Sequence, residues 1–331
     1  MKNRHPKMIP SLCWVVLASA FLLSCNSEKK KEVEAESKAP HIVFVTGDEE
    51  YRSEESMPML GRIAHRELGA KISMCYSLDS AGIMDPNNTF SISGLEALES
   101  ADLMVMFTRF RALPDDQLEM ITDYVESGRP VVGFRTSTHA FLYKDDSTKF
   151  HMNNEWPTKL FGQQWITHHG HFDDGANPLT AVSVSNNEES SILNGFKPFD
   201  AYSWLYHVDG GEWKLYGDSR TILEGKSLKS NHEMNDRLDL FQLTNPVAWT
   251  KSYDSESGIQ SKVFFTTLGH PYDFKNESMR KLALNGIYWA LGLEQDIPDQ
   301  GVNVAVEGTY DPNNSGFGQK FKPGLRPVTI P

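Results

Sequence analysis

Residues 41–47 read HIVFVTG, and this run predicts a buried strand, because β-branched and aromatic residues fill it and a glycine ends it. Three further apolar runs of this kind lie at 71–76, 101–107 and 130–133. The segments between these runs carry apolar residues at helical spacing. Strands that alternate with helices predict a parallel sheet with helices on both faces, so residues 41–133 indicate the α/β class.

A β-rich region follows this alternating part. Further strands are predicted at 179–184, 201–208, 219–223, 247–250 and 261–266. Residues 142–178 are polar and aromatic, which predicts an irregular insertion over the sheet edge. Residues 279–293 have the strongest amphipathic helical pattern of the chain. Residues 294–331 are rich in Gly, Pro and Asn, which predicts an irregular C-terminal tail.

Composition and charge narrow the class of protein. The chain has 331 residues, 39% of them hydrophobic, and a formal net charge of -12. These values are typical of a globular protein. An acidic chain without a basic stripe argues against nucleic acid as a partner, since nucleic acid is itself a polyanion. Three cysteines cannot build a disulfide framework, so the fold must depend on its hydrophobic core.

The N-terminus has the pattern of a targeting segment. Its basic residues are Lys2, Arg4 and Lys7. The apolar stretch at 12–23 is too short to span a bilayer but fits the core of a signal peptide. It ends in Leu-Leu-Ser before Cys25, which is similar to a bacterial lipobox. We therefore predict a lipoprotein signal peptide at 1–24, lipidation of Cys25, and a charged tether at 25–40 that anchors the protein to a membrane of the bacterial cell envelope. The alternative is an ordinary secretory signal.

Polar clusters follow four of the predicted strands. Ligands of open α/β sheets bind beyond the carboxyl ends of the strands, so we expect these clusters to converge on one crevice. The candidate substrate-binding residues are Glu50, Tyr51, Arg52, Arg109, Arg111, Thr136 and Thr138, and the candidate catalytic residues are Arg135, His139 and His270.

The chemistry of their side chains makes these residues catalytic candidates. His139 and His270 are the candidate acid and base, because imidazole titrates near neutral pH. Arg135 is the candidate cation for an anionic oxygen. The alternative is that each cluster is local, with hydroxyl groups capping helices and the arginines pairing with Glu49 and Glu50.

A dense histidine cluster, HHGH, lies at 168–171. Residues two apart on an extended segment share a face, so His169 and His171 are a candidate pair of ligands for a divalent metal ion. The alternative is that His169 contacts substrate or makes structural hydrogen bonds. The sequence indicates no other cofactor.

Several motifs together resemble the ThuA-like (trehalose-utilisation) domain, a relative of the class I glutamine amidotransferases. The motifs are TGDEEYRSEE at 46–55, ADL at 101–103, TRFR at 108–111, GFRT at 133–136, THAF at 138–141, HHG at 168–170, PVAW at 246–249 and VFFTTLGH at 263–270. The resemblance covers residues 41–293. It implies a flavodoxin-like, mostly parallel sheet with helices on both faces, and the β-rich region is then an insertion.

The resemblance also bears on the reaction. The elbow that holds the cysteine nucleophile of class I amidotransferases corresponds here to GFRTS at 133–137, which has no cysteine. A guanidinium stays protonated, so Arg135 cannot attack a carbonyl, and amidotransferase chemistry is not expected. His270, followed by Pro271, resembles the histidine of the relatives' catalytic triad but has no thiol to activate.

Members of this family are associated with sugar catabolism, including oxidised (3-keto) glycosides, so the resemblance implies a carbohydrate-type small molecule as substrate. A ketone acidifies the neighbouring C–H bond, and such substrates need a base near pH 7 and a cation or metal for the enolate. We therefore expect a lipid-anchored hydrolase, lyase or isomerase. One alternative is a lipoprotein that binds a glycan or a partner without chemistry. Another is a metal-dependent hydrolase centred on residues 168–171.

Overall fold

A nine-stranded mixed sheet forms the centre of the protein. The computed structural model describes residues 39–170, 172, 174–186 and 188–330. The strand order is β2-β1-β3-β4-β9-β8-β7-β5-β6. The strands are β1 His41–Gly47, β2 Lys71–Cys75, β3 Leu103–Thr108, β4 Val131–Phe134, β5 Thr180–Val184, β6 Phe199–Ala201, β7 Arg220–Ser227, β8 Thr244–Asp254 and β9 Gln260–Thr266.

Helices cover both faces of the sheet. They are α1 Ser53–Leu68, α2 Asp115–Glu126, α3 His151–Phe161, α4 Asn231–Met234 and α5 Glu277–Ala290. Successive residues of a strand point to opposite faces. Ile42 and Phe44 therefore lie in one core with α1 and α5, whereas Val43 and Val45 lie in a second core with α2 and α3. The predicted α/β class with helices on both faces is confirmed.

The first half of the sheet is parallel and the second half is antiparallel. Strands β2, β1, β3, β4 and β9 pair in parallel, in the order of a doubly wound, flavodoxin-like sheet. The β-rich region adds β8, β7, β5 and β6, which pair antiparallel. This region therefore extends the same sheet. The carboxyl ends of the five parallel strands meet at one edge, where the site is built.

Two local predictions were wrong. The insertion expected to be irregular at 142–178 contains α3, in which Pro157 lies within the helix and the buried Trp156 contacts Phe161. The strand expected at 201–208 stops at Ala201. The residues after it form a loop, because their side chains pack around the site.

The C-terminal tail has neither an α-helix nor a strand over its described residues 294–330, as expected. It nevertheless belongs to the same compact unit as the sheet. Val302, Val304 and Ile330 are buried in the core that also contains α1 and α5.

The signal peptide, most of the tether and Cys25 lie outside the described residues, and their assignments stay predictions. Within the described part of the chain no helix is long and apolar enough to cross a membrane. Cys75 is buried there as a free thiol, as its place in a strand predicts.

Candidate functional site

The site is built around a strained turn after β4. Arg135 directly follows this strand and has a φ of 41°, a left-handed conformation that residues with a side chain rarely adopt. A short 3-10 helix, Arg135–His139, continues from it. A sharp, strained turn from strand to helix is also how α/β-hydrolases present a nucleophile. Here the turn presents a guanidinium group.

Arg135 is a buried cation held by rings and carbonyl groups. Its side chain has no exposed surface, and it donates to the Tyr51 hydroxyl at 2.9 Å and to the carbonyl of Thr267 at 2.8 Å. Its Cζ lies 4.1 Å from the centre of the Tyr51 ring and 4.7 Å from that of Tyr206. Burial alone would lower its pKa, but the two tyrosines raise it above the ordinary value. No carboxylate of the described residues forms an ion pair with it.

His270 lies beside this arginine, with one ring nitrogen hydrogen-bonded and the other facing a carboxylate. Its Nδ1 accepts from the backbone N–H of Tyr272 at 3.1 Å, so the neutral ring carries its proton on Nε2. Nε2 lies 3.4 Å from Oδ1 of Asp174. Burial would raise the pKa of Asp174, but hydrogen bonds from His270 and Ser315 outweigh it and hold that pKa below the usual value. The structure thus gives His270 an ionised carboxylate as its partner.

Asp48 organises the loop after β1. Its Oδ1 accepts from the backbone N–H groups of Glu50 and Tyr51 at 2.7 and 2.8 Å, and its Oδ2 accepts from the Thr136 hydroxyl at 2.5 Å. Thr136 follows Arg135 in the turn after β4, so this carboxylate joins the ends of two parallel strands. The predicted substrate-binding hydroxyl of Thr136 is therefore used within the protein.

Glu50 and Glu54 are two buried carboxyl groups whose pKa burial raises to about 7, and Glu50 is the one that contacts Arg109. Burial raises its pKa from 4.5 to about 7, although the nearby Arg109 acts in the opposite direction and Asp48 adds to the rise. Its Oε2 lies 3.1 Å from Nε of Arg109. Arg109 also pairs with Glu49 through Nη1. A carboxyl group with a pKa of about 7 is suited to transfer protons in either direction at physiological pH.

Two of the predicted ligand-binding arginines act in local structure instead. The guanidinium of Arg111 is fully buried and donates to Glu49 and to the carbonyl of Asn88 at 2.9 Å. Arg52 donates to the carbonyl groups of Glu49 and Gly316, both at 2.6 Å. These hydrogen bonds connect the loops around the site, while Nε and Nη1 of Arg52 have no hydrogen-bond partner among the described residues.

His139 lies in an aromatic box. Its ring is 4.9 Å from that of Phe110 and 5.2 Å from that of Trp165, and its Nδ1 lies 3.2 Å from the Thr138 hydroxyl. Burial, together with the positive charge of the two nearby arginines, holds its pKa well below the usual value. His139 is therefore a neutral imidazole at physiological pH, the form that accepts a proton, and its catalytic role stays a prediction. Thr138 also caps the turn locally.

The histidine cluster divides between two environments. The ring of His168 lies beside the site and contacts that of Trp204, with ring centres 4.5 Å apart and the planes tilted by 39°. His169 bonds through Nδ1 to the Ser230 hydroxyl at 2.7 Å and contacts the ring of His232 at 5.0 Å. Burial and the neighbouring histidines lower the pKa of His169 to about 4.

The predicted metal pair is not supported by what the structure describes. His171 lies outside the described residues. Among the described residues no group of three His, Cys, Asp or Glu side chains could hold a metal ion. The hydrogen bond of His169 with Ser230 instead agrees with the structural alternative stated for this histidine.

Three contributors to the site are not among the predicted catalytic and substrate-binding residues. Asp174 and Ser315 come from segments that the sequence indicates to be irregular, and no local signal marks them. Asp48 could have been found, because it is the first polar side chain after β1 and a carboxylate there is well placed to accept backbone N–H groups.

The comparisons with known proteins agree with this architecture. Residues 42–290 match the family model described as "ThuA: Trehalose utilisation". No curated protein matches the chain. A ThuA-like protein from Parabacteroides merdae is 16% identical, with a TM-score of 0.50 over 87% of this chain and 98% of its own. A ThuA-like protein from Bacteroides uniformis is 17% identical, with a TM-score of 0.47 over 77% and 93%. The chain belongs to the ThuA (trehalose utilisation) family.

Proposed function

We propose that the protein acts on carbohydrate, with oxidised (3-keto) glycosides as its substrate class, by acid and base chemistry at the carboxyl ends of the parallel strands. The observation that carries this proposal is Arg135, a permanently charged group buried without a carboxylate partner among the described residues. A buried cation of this kind stabilises negative charge that develops on a ligand oxygen.

The chemistry follows from a ketone at C3 of the sugar. A base removes the proton from C2, and the electron pair moves to the carbonyl oxygen to give an enolate. The enolate then expels the glycosidic oxygen from C1, and the departing oxygen takes a proton. The step needs a base, a cation for the enolate oxygen and an acid, and it needs no redox partner.

The structure supplies candidates for each role. Arg135 is the cation for the enolate oxygen. Glu50 is the base, because its pKa of about 7 leaves part of it ionised at neutral pH. Once Glu50 holds the proton from C2 it is also the acid for the departing oxygen. The neutral ring of His270 points its only N–H toward Asp174 and keeps that carboxylate beside the site. His139 contributes an uncharged side chain to the wall of the site. This arrangement replaces the pair of histidines expected from the sequence.

The test is release of p-nitrophenol from p-nitrophenyl 3-keto-glucopyranoside, with p-nitrophenyl glucopyranoside as the substrate control. The proposal predicts release from the keto substrate only. A ligand-dependent rise in melting temperature without release would instead support the non-catalytic glycan-binding alternative. Activity lost on chelation and restored by zinc would support the metal-dependent hydrolase.

We also propose that the protein is a lipoprotein of the cell envelope, on the strength of the Leu-Leu-Ser-Cys sequence that ends at Cys25. The test is metabolic labelling with palmitate in a bacterial host, comparing the full chain with Cys25→Ser. Label and membrane recovery are expected for the full chain and not for the variant. Equal labelling of both would contradict the anchor.

A further inference from the structure

The C-terminal tail returns to the site. The backbone N–H of Gly316 donates to the carbonyl of Glu50 at 2.8 Å, and the Asn314 side chain donates to the carbonyl of Asp174 at 2.9 Å. Residues 314–317 are called the strap below. The strap joins two loops of the site, the one that follows β1 and the one that carries Asp174.

Ser315 shares the carboxylate of Asp174 with His270. Its side chain is buried, and its hydroxyl donates to Oδ2 of Asp174. The other oxygen, Oδ1, faces Nε2 of His270 at 3.4 Å. The Asp174 side chain is about a quarter exposed, at 27%, and among the described residues its two oxygens contact His270 and Ser315. The strap therefore fixes which way this carboxylate points.

Phe317, also in the strap, places an aromatic ring next to charged residues of the site. Its ring centre lies 4.9 Å from Cζ of Arg109, which itself contacts Glu50 at 3.1 Å. Phe317 is 55% exposed, so part of its ring is open to a ligand. An exposed aromatic face next to charged groups is a surface on which the C–H face of a sugar ring can pack.

We propose that the strap is a functional part of the site, in which Ser315 positions the Asp174 carboxylate against His270 and Phe317 supplies the face that packs on a pyranose ring. The role of Phe317 rests on the proposed function, whereas the role of Ser315 does not. The strap lies beyond residues 42–290, the part that matches the family model.

The role of Ser315 is tested by NMR of the protein labelled with ¹⁵N-histidine. The readout is the Nε2–H proton of His270, identified by its absence in His270→Gln. We expect a slowly exchanging signal in the wild type and in Ser315→Thr, which keeps the hydroxyl, and its loss in Ser315→Ala. The matched control is Asn313→Ala, whose amide donates to the carbonyl of Lys320 within the tail. An unchanged signal in Ser315→Ala would overturn this role.

The role of Phe317 is tested by the kinetics of p-nitrophenyl 3-keto-glucopyranoside. Phe317→Ala is expected to raise KM by about tenfold, the worth of one aromatic contact, while kcat stays within about twofold. Phe317→Tyr should restore KM. Phe150→Ala, which removes an exposed ring that precedes α3, is the matched control.

The outcomes separate the two roles. An unchanged KM in Phe317→Ala, with an active wild type, overturns the ligand contact alone. An inactive wild type that does not bind the probe overturns the proposed function and the role of Phe317 with it. The NMR result for Ser315 decides the positioning role in either case.

Discussion

The guanidinium of Arg135 lies over the ring of Tyr51, with Cζ 4.1 Å from the ring centre, and donates to the hydroxyl of the same residue at 2.9 Å. The same tyrosine therefore contacts this cation through both the face of its ring and its hydroxyl oxygen. Contacts of this kind keep a buried charge in place without neutralising it. The charge is therefore held without an ion pair to a carboxylate of the described residues.

Arg135→Lys is therefore expected to lower kcat/KM by about a hundredfold or more. A lysine is a point charge that cannot reach all of these partners, and burial favours loss of its proton. The measurement is the steady-state rate of p-nitrophenol release. Arg129→Lys is a matched control, because Arg129 also lies over a tyrosine, with Cζ 4.2 Å from the Tyr124 ring, and contacts none of the site residues. Equal loss in both variants would contradict the role of Arg135.

Glu50→Gln is expected to change the pH dependence of both activity and stability. The pKa of Glu50 is raised from 4.5 to about 7 in the folded protein. Its contribution to stability is therefore fully present below pH 4.5 and is lost as the pH rises through 7. The melting temperature of the variant relative to the wild type should rise between about pH 5 and about pH 8.

The same change should remove the activity that appears as Glu50 ionises. In the wild type kcat should rise through pH 7, the value near which this carboxyl titrates. The pH–rate profile of Glu50→Gln should be low and flat over that range. An intact profile in the variant would exclude Glu50 as the base.

His207→Phe is expected to stabilise the protein, most strongly in acid. Neither ring nitrogen of the buried His207 has a hydrogen-bond partner among the described residues, and its ring lies 5.0 Å from that of Phe241. Burial lowers the pKa of His207 below 6.5, so its folded form loses stability as the pH falls below 6.5.

We expect a gain of about 1 kcal/mol near neutral pH, where an unpaired buried polar group is removed, and a larger gain at about pH 5. Thermal unfolding at the two pH values measures it. A loss of stability that is the same at both values would show that His207 has partners in solution.

Gly133→Ala is expected to destabilise the protein by about 1–3 kcal/mol, because the added methyl group would clash with aromatic rings in the closely packed core. A Cβ at Gly133 would lie 2.5 Å from the Phe161 ring and 2.6 Å from the Phe265 ring. The matched control is Gly61→Ala in α1, where the nearest atom is the flexible tip of Ile330 at 2.9 Å and alanine favours the helix. Denaturant unfolding compares them, and equal effects would contradict the account.

The parallel part of the sheet could be predicted because its signals are local. The apolar run that ends at Gly47 and the polar residues after it show both a buried strand and its carboxyl end. The same pattern predicts that Arg135, His139 and His270 lie at strand ends. The arrangement of parallel strands then brings such ends to one edge, whatever the loops contain.

The other features of the fold and of the site depend on contacts between segments that are far apart in the sequence. The pairing of His270 with Asp174 joins residues 96 positions apart, and no local pattern specifies it. The neutral state of His139 follows from burial beside two arginines. This environment cannot be inferred from the amino-acid sequence alone. Ser315 lies in a stretch of Asn and Gly that is typical of irregular structure.

The most direct test of the account is a crystal structure of the protein with methyl 3-keto-glucopyranoside, collected with the Arg135→Lys variant in parallel. We predict that the sugar of the wild-type complex lies against Arg135, with its carbonyl oxygen toward the guanidinium and its C2 toward Glu50, and that the variant crystal shows none. Sugar bound at another surface, or equally well in both crystals, would contradict a carbohydrate site at the carboxyl ends of these strands.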